Sequence, residues 1–165
     1  MPFLRPFATA HIKPELLRFE QLDASLPFPR WLRRLREEAL GYPPDTSMSI
    51  AEAKGVVVQA VAGRAHVGYA RASRPSAGYR DVALTEVAVV EAQRRGGTGM
   101  KLIGVVASIM AQRGYETMNI VSLRDGSRAR REEWFRRMGF RLDDGFFVAE
   151  LVDLTRNLAP PQLRD

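Results

Sequence analysis

A mixed α/β domain is the fold this sequence predicts, on three observations. Two β-rich runs meet at a glycine turn, an apolar strand pattern leads straight into a second glycine-rich turn, and two helical patterns follow with one more β-rich run between them. The 165 residues suffice for one domain that buries about two-thirds of its unfolded surface. Residues 1–157 are expected to form it, and 158–165, "LAPPQLRD", a Pro-rich tail.

The first forty residues read as helical. Within them "PRWLRRLREEAL" sets Trp31, Leu32, Leu35 and Leu40 toward one side and arginines toward the other, and Gly41-Tyr42-Pro43-Pro44 stops the run. Next, "GVVVQAVAGRAHVGYARA" gives two runs turning near Gly63-Arg64, a hairpin pattern. Residues 82–90, "VALTEVAVV", are apolar enough for a central strand buried on both faces. Leu102, Ile103, Val106, Ile109 and Met110 then recur at helical spacing, with Gly114 as the stop. "ETMNIVSL" reads as a strand ending near Leu123, and in "DGSRARREEWFRRMGF" Trp134, Phe135 and Met138 share a helical face that Gly139 ends. "FFVAELV" is the last expected strand. An antiparallel hairpin thus leads into a βαβα unit, unlike a uniform doubly wound sheet.

Composition narrows the function classes. No run of eighteen apolar residues could span a bilayer, so no membrane partner is expected. The first residues lack the apolar core and small-residue cleavage site of a secretory signal, and the default location is cytoplasmic. With no cysteine, disulfides, zinc-thiolate sites and thiol nucleophiles are excluded, and no metal site is expected. The net charge of +6 is carried almost wholly by arginine, since lysine stands only at 13, 54 and 101. That balance favours anionic partners such as nucleic acid, phosphorylated cofactors or acidic proteins, or else is a solvated surface.

The turn "QRRGGTGMKL" at 93–102 is the most informative stretch. Lys101 is followed by Leu102 without a glycine at P-loop spacing upstream, and Leu102 stands where a dinucleotide fingerprint needs its third glycine. Both motifs fail. What fits is a glycine-rich backbone opening directly into a helix. Its main chain can approach an anion closely, its first amides have no intrahelical partner, and the helix dipole favours negative charge. A pyrophosphate suits such a place.

Arg94-Arg95-Gly96-Gly97-Thr98-Gly99 resembles the Arg/Gln-x-x-Gly-x-Gly/Ala signature of the GCN5-related N-acetyltransferases (GNAT), with a strand before it and a helix after it as in that family. "REEWFRRMGF" is similar to the family's later helix, which commonly reads aromatic-Tyr-x-x-x-Gly-Phe. The resemblance spans residues 55–151. It implies a central, mostly antiparallel sheet with a splayed central strand pair, flanked by helices. It also implies acetyl-CoA or coenzyme A as cofactor, its pyrophosphate on Arg94, Arg95, Gly96, Gly97, Thr98 and Gly99. The backbone around Ala88 and Val89 would pair with the pantetheine amides and polarise the thioester carbonyl. Arg128 and Phe135 fall at further cofactor positions, although the family often carries asparagine near the first and tyrosine at the second.

Acyl transfer to an amine needs a base for the incoming amine and an acid for the departing thiolate. Glu86 is the first candidate base, as the only carboxylate in its apolar strand, and the competing reading is a structural pair with a nearby arginine. His66 is the second candidate. Phe135 has no proton to give, so the acid is another hydroxyl such as Tyr115, Tyr79 or Ser127, or solvent protonates the thiolate, or turnover has been lost. Arg128, Arg130 and Arg131 either reach CoA phosphates or pair with Glu132 and Glu133.

The expected function is therefore acyl-CoA-dependent N-acylation of a primary amine. The alternative is a catalytically weak or inactive module of the same fold, acting in an assembly or as a basic nucleic-acid binder. The segments expected to choose the acceptor, 27–48 and "RASRPSAGYRD", are basic or neutral, which disfavours a polycation. A small molecule, a peptide N-terminus or an RNA-linked amine fits better, the last because Arg30, Arg33, Arg34 and Arg36 share one helix. A homodimer remains open.

Overall fold

The chain's first strand stands where a helix was expected. β1 (Arg18–Gln21) follows a 3-10 turn at Pro14–Leu16 and pairs antiparallel with residues 58–61. Only Phe19 of the four is buried. So short a run leaves no readable period, and its ladder with a neighbouring strand supplies the hydrogen bonds that decide its state. The computed structural model describes residues 7–8, 10–23, 26–41, 55–73, 79–121 and 128–158, the side chains at 14, 121 and 128–130 excepted.

Helix α1 (Arg30–Leu40) buries Trp31, Leu32 and Leu35 and leaves Leu40 half-buried, as its pattern requires. Gly41 ends it in the left-handed region at φ 69°, its N–H donating to the Glu37 carbonyl. The hairpin forms as β2 (Gly55–Ala62) and β3 (Ala65–Ser73), turning at Gly63 with φ 58°. β4 (Asp81–Val89) follows, then a 3-10 turn at Glu91–Gln93 and α2 (Thr98–Gln112). β5 (Thr117–Val121), α3 (Arg128–Met138), β6 (Arg141–Asp143), β7 (Phe146–Glu150) and α4 (Leu151–Leu158) complete the order. The strand expected over "FFVAELV" stops at Glu150, and Leu151 opens a helix whose Leu151 and Leu154 are buried. The expected end near Leu123 and the tail beyond 158 lie outside the described residues.

The sheet runs β1-β2-β3-β4-β5-β7-β6, with every neighbouring pair antiparallel except β4 and β5. That one parallel pair is short. Asp81, Val82 and Ala83 face Thr117, Met118 and Asn119, after which β4 continues to Val89 and β5 to Val121 without pairing. The two strands splay, as the family resemblance implies. β4 is central, but its burial alternates: Thr85 is exposed, and Val87 and Val89 are half-buried. The expectation of full two-sided burial fails because the open fork leaves one face only partly covered.

A bulge explains the switch of faces along β4. Arg71 pairs with Glu86 but Ala72 with Leu84, so Thr85 is the extra residue, its hydroxyl donating to the Arg71 carbonyl at 3.1 Å. Tyr69, Arg71 and Glu86 therefore share the face covered by α1, while Val87 lies on the opposite face, toward α2. α2 packs on β2, β3 and β4 and is itself covered by α4, which accounts for the unbroken burial from Leu102 to Ala107.

Candidate functional site

The glycine turn sits where β4 leaves the sheet and α2 begins. Arg95 holds φ 65° and Gly97 φ 86°, so the chain curls through two left-handed residues in three, a concave arrangement of amides that suits an anion. Among the described residues no backbone carbonyl accepts from the amides of Arg95, Gly96 or Gly97, and the first amide bond into α2 is Lys101 to Gly97. The amides of residues 98–100 therefore stand at the helix start without an intrahelical partner. α2 has no side-chain cap and no acidic residue in its first turn, so nothing internal offsets its positive end.

A groove of about 580 Å³ opens from this turn along the α2 face of β4, lined by Val87, Val89, Gln93, Arg94, Arg95, Gly97, Thr98, Gly99, Met100, Trp134 and Arg137. That volume is ordinary for a small-molecule site. Gly99 keeps the groove floor low: a methyl group there would lie 3.3 Å from Trp134 Cζ2, a tight contact, and 3.7 Å from Val87 Cγ1, an ordinary one. The Thr98 hydroxyl is buried with no hydrogen-bond partner among the described residues, a donor left over beside the groove. Arg94 has a structural duty, since its Nε donates to the Val89 carbonyl at 3.0 Å and ties the turn to the end of β4. Trp134, Met100 and Val87 were not singled out in the sequence as groove residues, because nothing local distinguishes a lining aromatic from a core one.

The remaining expected residues scatter. Ala88 is buried and pairs with Tyr69, Val89 pairs with Gly68, and both lie in the part of β4 that β5 leaves unpaired. Phe135 packs against Trp134, Phe140 and Phe147 at ring separations of 5.3, 5.8 and 5.3 Å, and is not among the groove residues. Tyr115 follows the end of α2, and the fifteen-residue helix puts it about 22 Å along the axis from the turn. Tyr79 is exposed just before β4, at the same far end of that strand. Ser127 and the side chain of Arg128 lie outside the described residues, as does Arg130's.

Glu86 and His66 lie on the other face, under α1. Glu86 has 3% of its side chain exposed, and its Oε1 accepts from Arg36 Nε with Arg71 Nη1 at 3.7 Å. Its Oε2 accepts from the Tyr69 hydroxyl at 3.4 Å. Burial, and then the charge of Glu86, push the Tyr69 phenol far above its usual range, so it stays a neutral donor. His66 is 5% exposed and stacks on Trp31 at 4.1 Å with 9° between the rings. Both carboxylate oxygens are thus engaged, and this geometry favours the ion-pair reading of Glu86 over that of a free base.

A family model for the acetyltransferase (GNAT) family matches residues 15–140. A search of curated proteins finds no match. Among solved structures, a GNAT-family acetyltransferase from Desulfovibrio desulfuricans is similar at TM-score 0.69 and 17% identity, covering 82% of this chain and 99% of that one. A GNAT-family acetyltransferase from Elizabethkingia anophelis with acetyl-CoA bound follows at 0.62 and 15%, covering 82% and 99%. An aminoglycoside 6'-N-acetyltransferase complexed with coenzyme A gives 0.66 and 16%, covering 81% and 96%. At such identities these three speak to the fold, while the family match extends over most of the chain. This protein belongs to the GNAT acetyltransferase family.

Proposed function

We propose that the protein is an acyl-CoA-dependent N-acyltransferase that moves an acetyl or similar acyl group from the CoA thioester to a primary amine. The observation that carries this is the convergence of unpartnered amides at 95–100 on a groove that runs along the unpaired end of β4. CoA fits the donor set: the turn amides and the positive end of α2 take the pyrophosphate, while Val87, Val89 and Trp134 offer apolar walls to the pantetheine arm. The edge of β4 around Ala88 and Val89 that β5 leaves unpaired would face the pantetheine amides and the oxyanion, although the Val89 carbonyl already accepts from Arg94.

In the step itself the amine nitrogen attacks the thioester carbonyl carbon, the C–S bond breaks, and CoA leaves as thiolate. A thiol of pKa about 8.5 is a tolerable leaving group near neutral pH, so Phe135 in place of a tyrosine does not forbid turnover. The proton from the amine goes to solvent in this reading, because Glu86 and His66 are enclosed beneath α1 and Tyr115 lies far along α2. Preorganised binding then supplies most of the acceleration. The acceptor enters beside α1, where a second groove of about 670 Å³ is lined by Phe7, Leu35, Glu38, Glu91 and others. Glu38 there is paired with Arg34 at 2.9 Å and Arg94 lines the same groove, so Glu91 is the carboxylate that suits one ammonium group, such as a peptide N-terminus or a small amine, while the net charge of +6 disfavours a polycation.

The test is thiol release from acetyl-CoA over a panel of primary amines. The chain has no cysteine, so any thiol that appears comes from CoA. Amine-dependent release supports the reading. CoA binding without release from any amine would favour the non-catalytic module, which the enclosure of the titratable residues also accommodates.

A further inference from the structure

A strap from the N-terminal segment is fastened across the glycine turn. The Ala8 amide donates to the His66 carbonyl at 3.1 Å, Phe7 bridges His66 in parallel, and Gln93 Nε2 donates to the Ala10 carbonyl at 2.6 Å. Gln93 is 1% exposed, so the strap is held at a fixed point immediately before the turn. His11, one residue further, lies over Gly96: a methyl group there would stand 2.6 Å from His11 Nε2, closer than real contacts allow. The imidazole occupies the space that the missing side chain leaves. It is exposed, and among the described residues it has no hydrogen-bond or ion-pair partner.

We propose that His11 is a cofactor-binding residue whose ring N–H donates to a phosphate oxygen of the pyrophosphate held on the turn, an inference that rests on the acyl-CoA reading above. Gly96 is the middle residue of the run 95–97 whose amides have no backbone acceptor. An anion drawn to those amides comes within reach of a ring seated against that residue. Imidazole is a donor to phosphate in either tautomer and in its cationic form. Arg94 cannot fully take this part, since its Nε is spent on Val89. Gly96, unlike Gly97, has no left-handed φ, and its missing side chain makes room for one from more than eighty residues earlier in the chain.

The test is a mutant cycle read by calorimetric titration with CoA. His11→Ala removes the ring, and Gly96→Ala displaces it. Each is expected to raise the Kd about tenfold, and the double variant no further than either single one, because both remove the same contact. S-acetylpantetheine, which has no pyrophosphate, serves as an alternative acyl donor, and His11→Ala is expected to leave its kcat/KM within about twofold of wild type. A Kd for CoA unchanged in His11→Ala, or an equal loss with S-acetylpantetheine, would overturn the proposal. Failure of the wild type to bind CoA would overturn the acyl-CoA reading, and this inference with it.

Discussion

The two faces of β4 differ in a way that reverses the first impression from the sequence. Under α1 the strand carries Glu86, joined by Arg36, Arg71 and Tyr69, with His66 stacked on Trp31 close by. Those are the residue types that chemistry uses, and they are sealed into the packing. Toward α2 the same strand offers Val87 and Val89 to a groove that is also lined by the glycine turn and by Gln93, Arg94, Arg95, Thr98 and Arg137. Here the conspicuous titratable side chains of β3 and β4 are enclosed, and the proposed cofactor site draws on main-chain amides beside a groove lined by arginines. Low exposure of the first cluster costs desolvation that only its mutual pairing offsets, whereas the second region keeps its donors unspent.

The largest effect that could break this contrast is on stability. Glu86→Gln removes the carboxylate charge that faces the part-buried guanidinium groups of Arg36 and Arg71, and is expected to cost about 3 kcal/mol in urea unfolding. Normal stability with turnover abolished would instead make Glu86 a catalytic base. Next in size, Gly99→Trp fills the groove between Trp134 and Val87. Equilibrium dialysis is expected to show acetyl-CoA affinity reduced about 100-fold, or 2.7 kcal/mol, in a protein that still folds. A third effect concerns Tyr69, whose phenol keeps its proton in the folded protein while the unfolded chain releases it near pH 10. Its contribution is full below that pH and falls by about 1.4 kcal/mol per unit above it, visible as a falling urea midpoint that Tyr69→Phe flattens. The smallest change is Phe135→Tyr. The ring packs among three other aromatics outside the groove, so stability should move by less than about 1 kcal/mol and kcat by less than twofold. A large gain in kcat would show that the hydroxyl reaches the thiolate.

Legibility in the sequence followed the range of the interactions. The β2–β3 hairpin, α1, α2 and their glycine stops were readable because period and turn chemistry are local. β1 and β6 were not, being four and three residues long and set by ladders with β2 and β7. α4 was missed because Leu151 continues the apolar run of β7 without a breaker, and only its packing on α2 shows it as a helix. The same holds for the site. The turn could be found since its three glycines fall within four residues, directly before a helical pattern. One partner of Glu86, Arg36, lies 50 residues away and the strap that Gln93 fastens lies 83 residues away, so the surroundings of Glu86, His66 and His11 are properties of the fold.

Calorimetric titration of the folded wild type with acetyl-CoA tests the central claim most directly. Saturable binding in the micromolar range, one cofactor per chain, is the result expected of the amides at 95–100 and the groove beside them. No heat of binding from a well-folded protein would contradict it, and the turn would then be only a tight connection between β4 and α2.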